Sequence, residues 1–286
     1  MRVDLLAGTL YSPAPMMPSA PKIMIFDSGL GGLTVFAEVA KARPDARYIY
    51  AADDAGFPYG HLTEPALVRR VLAVMERLIA LHAPDLVVIA CNTASTMVLK
   101  ALRRSFGVPF VGTVPAIKPA AALSRSKRVS VLATPGAIKS EYTRDLVAAY
   151  AGDCRVTLVG APRLAALAEA ELCGGVAAEE EVAAEVAPCF VADEEGRTDV
   201  VALACTHYPL LLAKLRRLAP WPVTWVDPAP AIARRVVQLL GEPVRLGDAE
   251  DEPVAVFTGG AGVTPALRNA LAARGLPSVA LEPFPN

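Results

Sequence analysis

From residue 22 onward, short apolar runs alternate with amphipathic stretches, and this alternation restricts the fold more than any other feature of the chain. Ile23-Met24-Ile25-Phe26, Tyr48-Ile49-Tyr50, Leu86-Val87-Val88-Ile89 and Val129-Ser130-Val131-Leu132 each have the length and character of a buried strand. Residues 156–159, 200–203, 223–226 and 254–257 continue the series. The clearest helical pattern runs from Glu64 to His82. There Leu67, Val68, Val71, Leu72, Met75, Leu78 and Ile79 share one face, and Pro65 occupies a first turn that needs no amide partner. Such alternation predicts an α/β fold with mostly parallel sheets. Ligands in such folds bind beyond the carboxyl ends of the strands, so the loops after the strands are where chemistry is expected.

Two of those loops are alike. Leu86-Val87-Val88-Ile89-Ala90 leads into Cys91-Asn92-Thr93, and Val200-Val201-Ala202-Leu203-Ala204 leads into Cys205-Thr206-His207, 114 residues later. A looser pair is Asp27 after the first strand and Thr134 after residues 129–133, 107 residues apart. Two similar offsets predict two pseudo-symmetric, doubly wound α/β domains facing across a cleft, with Cys91 and Cys205 on opposite walls. The length of 286 residues suits two domains of ordinary size.

The five cysteines are widely spaced with no C-x-x-C pair, which reads as reduced thiols and not as a disulfide framework. Cys154, Cys173 and Cys189 have no polar partners nearby in sequence and read as small buried hydrophobes. Cys91 and Cys205 stand instead at predicted strand exits, before hydroxyl and amide residues that open a helix. Free amide groups at a helix start favour a thiolate or a carboxylate ligand. Catalytic and structural readings both remain open from these features alone. Zinc held by Cys91, Cys205 and His207 is disfavoured by the i, i+2 spacing and the lack of a fourth ligand. The glycine-rich Asp27-Ser28-Gly29-Leu30-Gly31-Gly32 turn is not a dinucleotide fingerprint, and Asp27 would repel a phosphate. Asp27 could orient a ligand ammonium group or act as a base. Of three histidines, His61 and His82 read as surface or boundary residues, and His207 is placed to assist Cys205.

Lys and Arg total 28 against 29 Asp and Glu, so no basic excess exists to hold nucleic acid. No apolar run reaches the ~18 residues of a membrane span. Residues 1–21 are proline-punctuated, with Pro13, Pro15, Pro18 and Pro21, and lack periodicity; they are expected to form a flexible N-terminal extension, and Met16 or Met17 offers an alternative start.

Taken in order, Asp27-Ser28-Gly29-Leu30-Gly31-Gly32-Leu33-Thr34, Pro58-Tyr59-Gly60, Ala90-Cys91-Asn92-Thr93-Ala94-Ser95, Val111-Gly112-Thr113-Val114-Pro115-Ala116, Leu132-Ala133-Thr134 and Cys205-Thr206-His207-Tyr208-Pro209 resemble the glutamate racemases of the aspartate/glutamate racemase superfamily. The resemblance covers nearly the whole chain from about residue 22. It implies a cytoplasmic enzyme that interconverts L- and D-glutamate without a cofactor or metal and supplies D-glutamate for peptidoglycan. It implies that Cys91 and Cys205 exchange protons with opposite faces of the α-carbon, assisted by Asp27 and by His207, with Glu169 as a further assisting carboxylate. Substrate contacts are implied at Asp27, Ser28, Tyr59, Gly60, Asn92, Thr93, Thr206 and His207. A small-molecule substrate, neither nucleic acid nor membrane, is the implied partner. A homodimer is the implied assembly, its arrangement open. The resemblance also implies that the C-terminal segment returns to the first domain, giving 22–115 plus 224–286 as one domain and 116–223 as the other. Two positions depart from the family's usual pattern, Ala52 before Asp53 and Pro228 after Asp227; neither touches the cysteine motifs.

Overall fold

The structure, a computed structural model, describes residues 20–243, 252–260 and 262–284. Residues 1–19, nearly all of the expected N-terminal extension, lie outside them.

The first sheet grows outward from β1 (Lys22–Asp27). Its neighbours are β2 (Arg47–Ala52) and β3 (Leu86–Ile89), connected through α1 (Leu33–Ala42) and α2 (Glu64–His82). Beyond β3, α3 (Asn92–Ser105) leads to the edge strand β4 (Phe110–Gly112). Along β1, successive side chains enter opposite layers, as a strand covered on both faces requires. Ile23 and Ile25 pack with Phe36 and Val39 of α1, whereas Met24 and Phe26 pack with Val71 and Met75 of α2. The four β1 side chains are completely buried, each worth about 1.5–3 kcal/mol over exposure. The helix predicted from Glu64 to His82 forms over those residues, with Pro65 in its first turn.

The second sheet follows through α4 (Ile117–Leu123). It contains β5 (Arg128–Ala133), β6 (Arg155–Gly160), β9 (Val200–Ala204) and β10 (Thr224–Val226). Between β5 and β6 come α5 (Pro135–Lys139) and α6 (Glu141–Tyr150). Between β6 and β9 come α7 (Leu164–Leu172), α8 (Glu179–Val186) and the small hairpin β7 (Ala192–Asp193) and β8 (Gly196–Arg197). After β9, where the sequence predicted a helix opening soon after Cys205, a 3-10 turn over Tyr208–Leu211 precedes α9 (Leu212–Leu218).

The chain then recrosses through α10 (Ala229–Leu240), whose buried Ile232, Ala233 and Val236 join the α1 side of the first core. It ends in β11 (Val254–Phe257), α11 (Pro265–Ala272) and β12 (Ser278–Leu281). The first sheet reads β12-β11-β2-β1-β3-β4 and the second β10-β9-β5-β6, all strands parallel. The series β2-β1-β3-β4 and β6-β5-β9-β10 share one winding, which is the pseudo-symmetry the paired offsets predicted. Each half reverses its strand order beside its first strand, between β1 and β3 and between β5 and β9. A crevice opens at the carboxyl ends of strands at such a point.

One boundary differs from the expectation. Residues 224–226, assigned by sequence to the first domain, pair with residues 200–202 in the second sheet, and Thr224 N–H donates to Asp199 C=O at 2.8 Å. The crossing follows Val226 because that strand completes the second sheet before α10 reaches α1. Strands β4 and β12 had no sequence signal: one is three residues long and the other is half exposed. Cys189 is buried as expected, but Cys154 and Cys173 are only partly so.

Candidate active site

The switch points of the two sheets meet at a single pocket. Ser28 comes from the β1 exit, Cys91, Asn92 and Thr93 from the β3 exit, Thr134 from the β5 exit, and Cys205, Thr206 and His207 from the β9 exit. Tyr59 and Gly60 close one side. The two cysteines, 114 residues apart, thus line one space. Asp27 and Glu169 stand behind this lining and contact it. The cavity is nearly shut: its volume of ≈ 20 Å³ is on the scale of one water. An amino acid enters only if the two halves separate.

Cys91 caps the N-terminus of α3 and is buried. Its sulfur lies 3.6 Å from Ser28 Oγ. Burial, and then the charge of Asp27, push its thiol up to about 12, against the opposing Ala94 N–H and Ser28 hydroxyl. At neutral pH Cys91 therefore carries its proton. Beside it, Asn92 has both amide atoms buried with no hydrogen-bond partner among the described residues. An amide so placed costs about 1–3 kcal/mol unless a ligand satisfies it. Thr93 Oγ1 faces Thr134 Oγ1 at 3.3 Å, one of the contacts across the cleft.

Asp27 is completely buried and accepts from Gly29 N–H at 3.1 Å and Thr206 Oγ1 at 3.2 Å. Burial raises its pKa, against the charge of His207 and the backbone N–H groups of Gly32 and Gly29. The sequence reading paired Asp27 with Cys91. In the structure the hydrogen-bonding group at the Cys91 sulfur is the Ser28 hydroxyl, and Asp27 acts on that thiol through its charge.

The Cys205 wall differs chemically. Its sulfur lies 3.8 Å from His207 Nδ1, and His207 Nε2 lies 3.0 Å from Glu169 Oε1. Burial works to lower the His207 pKa. Hydrogen bonds to Cys205 and Glu169, with the charges of Cys205 and Asp27, outweigh it and raise the pKa well above the ordinary imidazole value. The imidazole facing the Cys205 sulfur is thus biased toward its protonated form, whereas Asp27 opposes ionisation of Cys91. The Phe57 ring packs against the imidazole, centroids 5.6 Å apart.

Tyr59 is held from behind. Its hydroxyl donates to Asp53 Oδ2, and the same carboxylate takes Arg70 at 2.6 and 2.7 Å and the Thr258 hydroxyl at 2.6 Å. Burial, then Asp53, raise the Tyr59 pKa well above 10, so it remains a neutral phenol. Sequence reasoning missed this Asp53 hub, and it missed Phe57, Thr134 and Ala165 as lining residues. Only Thr134 had a usable signal, its offset from Asp27. The zinc alternative has no geometric counterpart: among the described residues, no three His, Cys, Asp or Glu side chains are grouped as metal ligands.

Known proteins resemble this chain in sequence and fold. The Asp/Glu/Hydantoin racemase family matches residues 24–236. A glutamate racemase of Brucella canis is 54% identical over 256 residues, 88% of this chain and 91% of the relative. One of Mesorhizobium japonicum is 56% identical over 240 residues, 83% and 91% of the two chains. Among solved structures, Escherichia coli glutamate racemase in complex with L-glutamate and the activator UDP-MurNAc-Ala superposes with a TM-score of 0.84 at 37% identity, covering 92% of this chain and 98% of the other. With the match spanning most of the chain and both cysteine loops inside it, the chain belongs to the Asp/Glu/Hydantoin racemase family.

Proposed function

We propose that this enzyme interconverts L- and D-glutamate without a cofactor by a two-base proton transfer, and that it supplies D-glutamate for peptidoglycan synthesis. The observation that carries the reading is the pair of thiols lining one shut pocket from the switch points of two matching sheets. An α-proton is very weakly acidic, and one base cannot easily reach both faces of a fixed substrate. Two thiols on opposite walls can, if one is ionised while the other is protonated.

The walls are poised unequally for this. Cys91 keeps its proton, and the His207 imidazolium faces Cys205. In the L-to-D direction Cys205 removes the α-proton as thiolate, and Cys91 returns its own proton to the opposite face. D-glutamate reacts by the reverse sequence. Asn92, Ser28, Thr93 and Thr206 offer neutral donors and acceptors to the substrate's charged groups, and the α3 N-terminus adds a partial positive charge. The two sheet-centred halves, 22–115 with 227–286 and 116–226, open to admit substrate and close to expel water.

Two measurements test the reading. Purified protein given L-glutamate should drive the optical rotation to zero, whereas L-aspartate and hydantoins should remain resolved. A panel in which L-aspartate racemises faster assigns a sister activity instead. In heavy water, the first D-glutamate formed should carry α-deuterium from Cys91, while recovered L-glutamate keeps protium. Early deuteration of the recovered substrate is the result that a single base would give.

A further inference from the structure

The loop after β1 reaches across the cleft and touches the Cys205 relay at two backbone amides. Leu30 N–H donates to Glu169 Oε1 at 2.6 Å, and Gly31 N–H lies 3.2 Å from His207 Nε2. That same Glu169 oxygen is the one 3.0 Å from Nε2. Glu169 sits on α7, in the half that carries Cys205, whereas Leu30 and Gly31 belong to the other half. The C-terminal end of α7 also leans on the first half, with Leu172 and Cys173 packed against its core.

Gly31 N–H and Glu169 ask opposite things of Nε2. Gly31 N–H is satisfied only by a bare nitrogen. Glu169, as a carboxylate, is satisfied only by Nε2–H. The Glu169 side prevails because it is charge-assisted and its Leu30 bond is the shorter contact; such bonds are about twice as strong as neutral ones. We propose that Glu169, hung on Leu30 N–H, is a positioning residue that couples closure of the two halves to the proton on His207. Closing the cleft delivers Leu30 N–H to Glu169, Glu169 holds the proton on Nε2, and Nδ1 is left as the position that trades a proton with Cys205. Apart from the sulfur itself, the titratable groups facing His207 are Glu169 from α7 and Asp27 from β1. The proposal rests on the racemase reading for its catalytic meaning, but the coupling exists in the resting protein.

Gly29 supplies the test. A Cβ there would overlap Glu169 Oε1 and touch Phe57 Cδ2 at 3.0 Å, so Gly29→Ala displaces the carboxylate first, and Phe57→Leu serves as the control for any disturbance carried through the ring beside His207. The imidazole titrations are followed by NMR in the full chain, with the three histidines distinguished by single His→Gln variants. In the wild type, His207 should hold its proton well above the usual imidazole range. In Gly29→Ala its midpoint should fall by about one pH unit or more, a tenfold or larger change in proton affinity, with His61 and His82 unmoved. The basic limb of the kcat/KM profile should fall in step. Glu169→Gln should give a similar fall while it still offers Leu30 an acceptor oxygen, which separates the carboxylate charge from simple packing. A His207 midpoint unchanged in both variants overturns the coupling, even if the wild type racemises glutamate. A wild type inert toward glutamate whose His207 midpoint still falls in both variants leaves the coupling standing and removes the racemase reading.

Discussion

Cys91→Ser and Cys205→Ser are each expected to lower glutamate racemisation by about 10²–10⁴-fold or more, because a serine alkoxide is far harder to form than a thiolate. The useful result lies in what each variant retains. Enantiomers have equal free energy, so kcat/KM must fall equally in both directions, and rates alone cannot say which wall was damaged. Exchange can. In heavy water, Cys91→Ser keeps Cys205 and should slowly exchange the α-proton of L-glutamate without inverting it, leaving D-glutamate untouched. Cys205→Ser should do the opposite. Both should fold, although a buried hydroxyl costs about 1–3 kcal/mol if left unpaired. Exchange of the same enantiomer in both variants, measured by proton NMR, would contradict the assignment of walls.

Asp53→Ala is expected to have the largest effect on stability. Asp53 is completely buried, and one carboxylate serves Arg70, Tyr59 and Thr258 together. Arg70 is itself mostly covered, its side chain 11% exposed. Breaking a buried pair from one side costs about 3–5 kcal/mol. For a chain of this size that lowers Tm by on the order of 10 °C. KM should rise as well, because Tyr59 and Gly60 line the pocket. A thermal melt within about 2 °C of wild type would show that Arg70, Tyr59 and Thr258 find other partners cheaply.

The parts of this molecule readable in advance are those where local pattern and global position coincide. Cys91 and Cys205 each end an apolar run of the same form, so a repeat in sequence became a juxtaposition in space. The Asp53 hub had no such signal. Beyond nearby Tyr59, its partners lie 17 and 205 residues away, and an aspartate in a loop looks the same whether or not an arginine from α2 covers it. Ser28, not Asp27, reaches the Cys91 sulfur because the two adjacent side chains leave the β1 turn in different directions, a detail no spacing encodes. Thr134 was visible as the counterpart of Asp27, but a threonine announces no proton chemistry. Thr224–Val226 was recognisable as a strand; three residues say nothing about which sheet receives them.

The position of β11 carries a consequence for biosynthesis. It enters between β2 and β12, so the first sheet lacks these two strands until residues 254–281 have left the ribosome. Until then β2, with buried Tyr48, Ile49 and Tyr50, is an unprotected edge. The second sheet is drawn from one continuous stretch and can assemble first. Truncation before β11 is therefore expected to yield insoluble protein, because it leaves the β2 edge open.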